Sequence, residues 1–101
     1  MSDLERFIKE RFTYLPGVTT LWSDFIVAFQ SWVELNGVTK KRWSKEVIAR
    51  EFPRNEKFPK GKMGGGNKVN IGNCSIYGDM GEEETNKICI RKKDRLVMEV
   101  L

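Results

Sequence analysis

The chain has 101 residues, enough for one domain with one core, which excludes most multi-domain enzymes. It is 40% hydrophobic and 32% charged, with a net charge of +4, a balance that argues against wholesale disorder. No apolar run reaches the roughly 18 residues of a membrane span, and the start, MSDLERFIKE, is charged where a signal peptide turns apolar. The expectation is therefore a soluble, intracellular protein without a membrane partner.

Ser2 followed by Glu5 is a capping-box pattern, and Leu4, Phe7, Ile8 and Phe12 recur at helical spacing, so a first helix is predicted over 3–13. Pro16-Gly17 predicts a turn, and Val18-Thr19-Thr20-Leu21 a short extended piece. Trp22, Phe25, Ile26, Phe29, Trp32 and Val33 then form one apolar stripe on a 3.6-residue period, a core-facing helix over 23–35. Thr20 or Ser23 can cap it, and Asn36-Gly37 can stop it.

After the short connection Gly37-Val38-Thr39, a third helix is predicted with Thr39 as N-cap, ending at Phe52 before Pro53. Trp43, Val47, Ile48 and Phe52 fall on its inner half, where the small Ser44 allows close approach to the second helix. Arg42, Lys45, Glu46 and Ala49 fall on the outer half. Lys40-Lys41-Arg42 at the start of such a helix oppose its dipole, which points to an external anion.

Residues 57–77 read as two strands around a basic loop centred on Gly64-Gly65-Gly66. The glycines lack the spaced Gly-Lys-Ser/Thr pattern of a nucleotide-binding loop. Beyond a polar loop at 78–84, Asn86–Arg91 alternates like a strand and Leu96–Leu101 is an apolar end, either closing the core or docking on a partner. The domain is thus expected over 1–78, with a C-terminal extension over 79–101 packed on it or extending it.

Charge is unevenly spread. Residues 40–68 hold ten Lys and Arg against three Glu, a local charge of +7, while 1–39 carry −2 and 79–101 carry −1. A polyanion is the natural partner of such a stretch, the alternative being a basic face that only aids solubility. Histidine is absent, which removes the commonest general base, and the two cysteines, Cys74 and Cys89, are too few for a zinc site and read as small buried hydrophobes. No paired carboxylate motif is evident. Neither catalytic residues nor a metal or cofactor is therefore expected, and the chain reads as a non-enzyme.

The element order is helix, short strand, helix, tight turn, basic helix, glycine-lysine hairpin. It is the plan of an α+β winged helix-turn-helix, three helices plus a small antiparallel sheet and wing, here with a C-terminal strand extension. Phe7-Ile8, Pro16-Gly17-Val18-Thr19, Ser23-Asp24-Phe25, Ala28-Phe29, Trp32, Gly37-Val38-Thr39 and Trp43-Ser44 with Val47 carry a further likeness. Over residues 7–77 the chain resembles the C-terminal winged-helix domain of phage, plasmid and large-DNA-virus primase-helicases of helicase superfamily 3. The resemblance implies a DNA-binding appendage of a replication protein, without ATPase or primase chemistry of its own. The tail after residue 78 departs from that pattern.

Duplex DNA is the expected partner. Arg42 and Lys45 would lie nearest base edges, Lys40 and Lys41 nearest phosphate, and Lys60, Lys62, Asn67 and Lys68 would hold the backbone or minor groove through the wing. The rivals are a winged-helix module that binds protein, such as a replication protein, and a single-stranded nucleic-acid binder using Phe58 and Tyr77 as exposed aromatics.

Overall fold

The computed structural model describes residues 1–38, 40–63, 66–78, 90–91 and 98–100, with side chains for 1–38, 42–62 and 66–78. Helix α1 (Asp3–Arg11) starts as its capping box requires: Ser2 Oγ accepts from the Glu5 backbone N–H at 3.1 Å. Asp3 and Glu5 in its first turn and Lys9 and Arg11 in its last complement the helix dipole, and Leu4 and Phe7 are buried.

Strand β1 (Thr13–Leu21) is longer than the sequence predicts, because Pro16-Gly17 does not end the extended chain. It is absorbed as an irregularity against strand β3 (Val69–Ser75): Tyr14 pairs with Cys74, and regular pairing resumes at Thr19 with Gly72. Proline is tolerated there since no ladder hydrogen bond needs its missing N–H. Two left-handed residues serve this bulge, Gly17 at φ 83° and Asn73 at φ 56°, and the Gly17 N–H donates to Asn73 Oδ1 at 3.1 Å. Asn73 resets the alternation of β3, so that Ile71 and Cys74, three residues apart, both join the core.

Helix α2 (Trp22–Leu35) buries Phe25, Ile26, Phe29, Trp32 and Val33 as its periodicity predicts. Its cap differs. Leu21 occupies the N-cap position without a side-chain bond: of the two expected caps, Ser23 falls inside the helix and Thr20 is buried in the sheet with its hydroxyl donating to the Cys74 carbonyl at 2.9 Å. Gly37 at φ 76° stops the helix as expected. Phe7 of α1 meets Phe29 at 5.3 Å and Trp32 at 5.5 Å, both edge to face, so α1 and α2 join through aromatic rings. Each fully buried side chain of this kind contributes about 1.5–3 kcal/mol before chain entropy is counted.

The predicted third helix is two pieces. Lys40–Trp43 forms a 3₁₀ turn, and helix α3 begins only at Lys45, running Lys45–Glu51. Ser44 stands between them in extended backbone and caps α3, its Oγ accepting from the Val47 N–H at 3.3 Å. Ser44 is therefore a cap and not a small residue for close packing. Thr39, the expected cap, lies outside the described residues.

Strand β2 (Lys60–Met63) pairs antiparallel with β3, giving a central order β1-β3-β2. Two short strands add to its edges: β4 (Ile90–Arg91) on β1 and β5 (Met98–Val100) on β2. The tail thus extends the sheet at those residues, while Cys89, Leu96, Val97, Leu101 and the 79–84 loop lie outside the described residues. The architecture is a small α+β domain of three helices and an antiparallel sheet, compatible with a winged helix. Among the described residues no helix is long and apolar enough to cross a membrane.

Candidate nucleic-acid interface

The basic 3₁₀ turn is held at its far end by Trp43, which is 6% exposed. Its indole N–H donates to Asp3 Oδ2 at 3.1 Å, its carbonyl accepts from Gln30 Nε2 at 3.1 Å, and its ring meets Phe29 edge-on at 5.2 Å. The Gln30 bond occupies the carbonyl that a continuous helix would use, and the Ser44 hydroxyl satisfies a free N–H of the next turn. Together they explain why one helix becomes two. Lys40, Lys41 and Arg42 consequently precede α3 instead of forming its first turn, and the proposed conflict of their charge with the dipole of one long helix does not arise. Arg42 is exposed beside the buried Trp43; the side chains of Lys40 and Lys41 lie outside the described residues.

On α3, Ile48 is buried and Val47 half-buried, while Lys45, Glu46, Ala49 and Arg50 are exposed, so the predicted inner and outer sides hold. Arg50 is engaged by its neighbour Glu51 at 3.2 Å, whereas Arg42, Lys45 and Arg54 have no carboxylate partner among the described residues. These three are therefore available to an outside anion.

The hairpin divides its expected contacts. Asn67 and Lys68 are exposed in the loop that precedes β3. Lys62 is half-buried opposite Val69. Lys60 turns inward: it pairs across from the buried Ile71, and its ammonium lies 4.2 Å from the centroid of the Trp22 ring. Burial pushes its pKa below the ordinary lysine value. Its side chain thus lies along Trp22 and does not extend from the tip of the hairpin. Lys60 and Lys62 are both half-buried, and what separates them is that Lys60 lies beside Ile71 and Trp22 whereas Lys62 lies one pair nearer the loop, opposite Val69.

Lys60 instead lines a groove of about 920 Å³ between the end of α3 and the start of β2. Ala49, Phe52, Pro53, Arg54, Asn55, Glu56 and Pro59 complete its walls. Arg54 is the basic residue that the candidate set missed; it follows Pro53, which ends the third helix, and nothing local showed that it would line the same groove as Lys60. Lys57 diverges from this side, stacked 5.0 Å from the Tyr14 ring.

The aromatic pair offered for single strands is also corrected. Phe58 is buried, 5.2 Å from Phe12 and 6.1 Å from Tyr14, because the apolar seam between β1 and α1 takes its ring. Tyr77 alone of the two is exposed. Among the described residues no group of three or more metal-ligating side chains is assembled. Comparison with known proteins gives no matching family model, no matching curated protein and no matching solved structure.

Proposed function

We propose that the chain is a winged-helix module of a viral or mobile-element replication protein, binding duplex DNA with weak sequence preference and carrying no catalytic chemistry. The element order α1-β1-α2-α3-β2-β3 with strand order β1-β3-β2 supports the architecture. The resemblance of residues 7–77 to the primase-helicase domains supports the setting. Arg42 and Lys45 would meet the major groove, with the Lys40-Lys41 backbone leading into it, and Lys62, Asn67 and Lys68 would approach the DNA from the hairpin. The observation that carries this reading is that Arg42, Lys45 and Lys68 are exposed without a carboxylate partner among the described residues. Unneutralised cations next to a polyanion release counterions, and that release drives binding.

Titration of a labelled duplex by fluorescence polarisation at rising salt tests it. About five phosphate contacts give a slope of log affinity against log salt of roughly −4 to −5. Absence of binding at low salt, or salt-insensitive binding, would overturn it. The protein-binding alternative draws on Val27 and Leu35, 65% and 87% exposed on α2, and expects no duplex affinity.

A further inference from the structure

We propose that the groove between α3 and β2 seats one unpaired nucleotide, its phosphate held by Arg54 and Lys60 and its base laid against Phe52 and the flanking prolines. The inference rests on the nucleic-acid reading above and deepens it: the favoured ligand becomes a duplex that continues into a single strand, not a blunt duplex.

Four features lead to it. The groove's volume of about 920 Å³ is in the range of small-ligand sites. Its walls are stiff, because Pro53 and Pro59 fix two backbone angles and Asn55 Oδ1 accepts from the Lys57 N–H at 2.8 Å and the Phe58 N–H at 3.4 Å. Its cations are unsatisfied: neither Arg54 nor Lys60 has a carboxylate partner among the described residues. Lys60 is also fixed in place by the Trp22 ring, so an anion that meets it costs little further ordering. Finally, the floor is apolar, with Phe52 held edge-on by Trp22 at 5.0 Å and Phe25 at 5.4 Å.

A phosphate alone would use the cations and waste the floor, and an apolar ligand would do the reverse. A nucleotide uses both. Glu56, the carboxylate among the lining residues, leaves room in charge for one phosphate and not for a run of them. Ala49 ties the groove to the duplex surface: it is exposed on α3 one turn beyond Lys45, so a strand leaving a helix docked on Lys45 passes directly into the groove.

The test measures polarisation titrations at fixed salt with a blunt duplex, the same duplex carrying a short single-stranded overhang, and the single strand alone. The overhang is expected to tighten binding about tenfold, the range of one base stacked on protein. Ala49→Trp, which fills the groove from an exposed helical position, should bring overhanging and blunt duplexes to equal affinity, each measured on the same variant; Arg54→Ala should reduce the ratio between them. Equal affinity for blunt and overhanging duplexes overturns the inference and leaves the duplex reading standing. A gain that survives Ala49→Trp, in protein whose circular dichroism is unchanged, also overturns it. Failure of every ligand to bind overturns both readings.

Discussion

The indole N–H of Trp43 donates to Asp3 Oδ2 at 3.1 Å, which fastens the basic turn after α2 to the first turn of α1. A largely buried donor paired with a carboxylate is costly to orphan, about 1.5–3 kcal/mol for bonds to charged groups. Asp3→Ala should therefore lower unfolding free energy by about that amount in urea titrations. Asp3→Asn, which keeps an oxygen acceptor, should lose less. Equal losses in the two variants would mean that Asp3 acts through its charge on the helix dipole and on Arg6, 4.0 Å away, and not through Trp43.

Ser44 should behave as a helix cap. Removing its hydroxyl by Ser44→Ala leaves the Val47 N–H without its partner and should cost about 1 kcal/mol, read from the denaturant midpoint. Ser44→Asp, which restores a capping oxygen, should recover most of it. No loss in Ser44→Ala would indicate that α3 continues backward through residue 44 in solution.

These two residues show where local sequence stops being informative. The stripe from Phe25 to Val33 was readable because a helix repeats its burial every three to four residues, and the capping box at Ser2 because both partners lie within one turn. The break at Ser44 joins a local cap, Ser44 on the Val47 N–H, to the bond from Gln30 to the Trp43 carbonyl, thirteen residues away, and no local pattern carries the second. Pro16-Gly17 reads as a turn by composition but sits inside a strand, since Asn73 on the neighbouring strand receives the Gly17 N–H. For the interface, the exposure of Lys45 follows from helical phase, whereas the placement of Lys60 beside Trp22 and its sharing of a groove with Arg54 require the strand register.

Asn73 combines two duties, a left-handed backbone and acceptance of the Gly17 N–H. Asn73→Ala loses the acceptor and adds the strain of alanine at positive φ, about 1–2 kcal/mol. Asn73→Gly loses only the acceptor. The glycine variant should thus be the more stable of the two by about 1 kcal/mol in chemical denaturation. The reverse order would show that the β1–β3 bulge relaxes to negative φ when the side chain is removed.

If the duplex reading holds, Arg42 and Lys45 should separate in their effects. Lys45→Ala removes one point charge from phosphate and should reduce the magnitude of the salt slope by about 1, with similar loss on every sequence. Arg42→Lys keeps the charge but loses the planar fork that can pair with two guanine acceptors, so it should flatten preference among sequences while the slope stays unchanged. Competition assays over a small set of duplexes distinguish the two patterns. Identical behaviour would place both residues on the phosphate backbone.

Lys60 gives a pH test. Its pKa is lowered from 10.5 by burial, so between the folded value and 10.5 the unfolded chain binds more protons than the folded one. Stability from this group accordingly rises with pH through that window, as the folded ammonium gives up a proton that the unfolded chain still holds. Lys60→Met keeps an unbranched side chain against Trp22 and removes the titration. The unfolding free energy of the wild type relative to Lys60→Met should therefore increase as pH is raised from neutrality toward 10.5. A single-stranded overhang in the groove should oppose this trend, because a phosphate beside the ammonium stabilises its charged form and raises the pKa of the bound state. A difference between the two proteins that stays flat with pH would mean that the ammonium is fully hydrated and swings clear of Trp22.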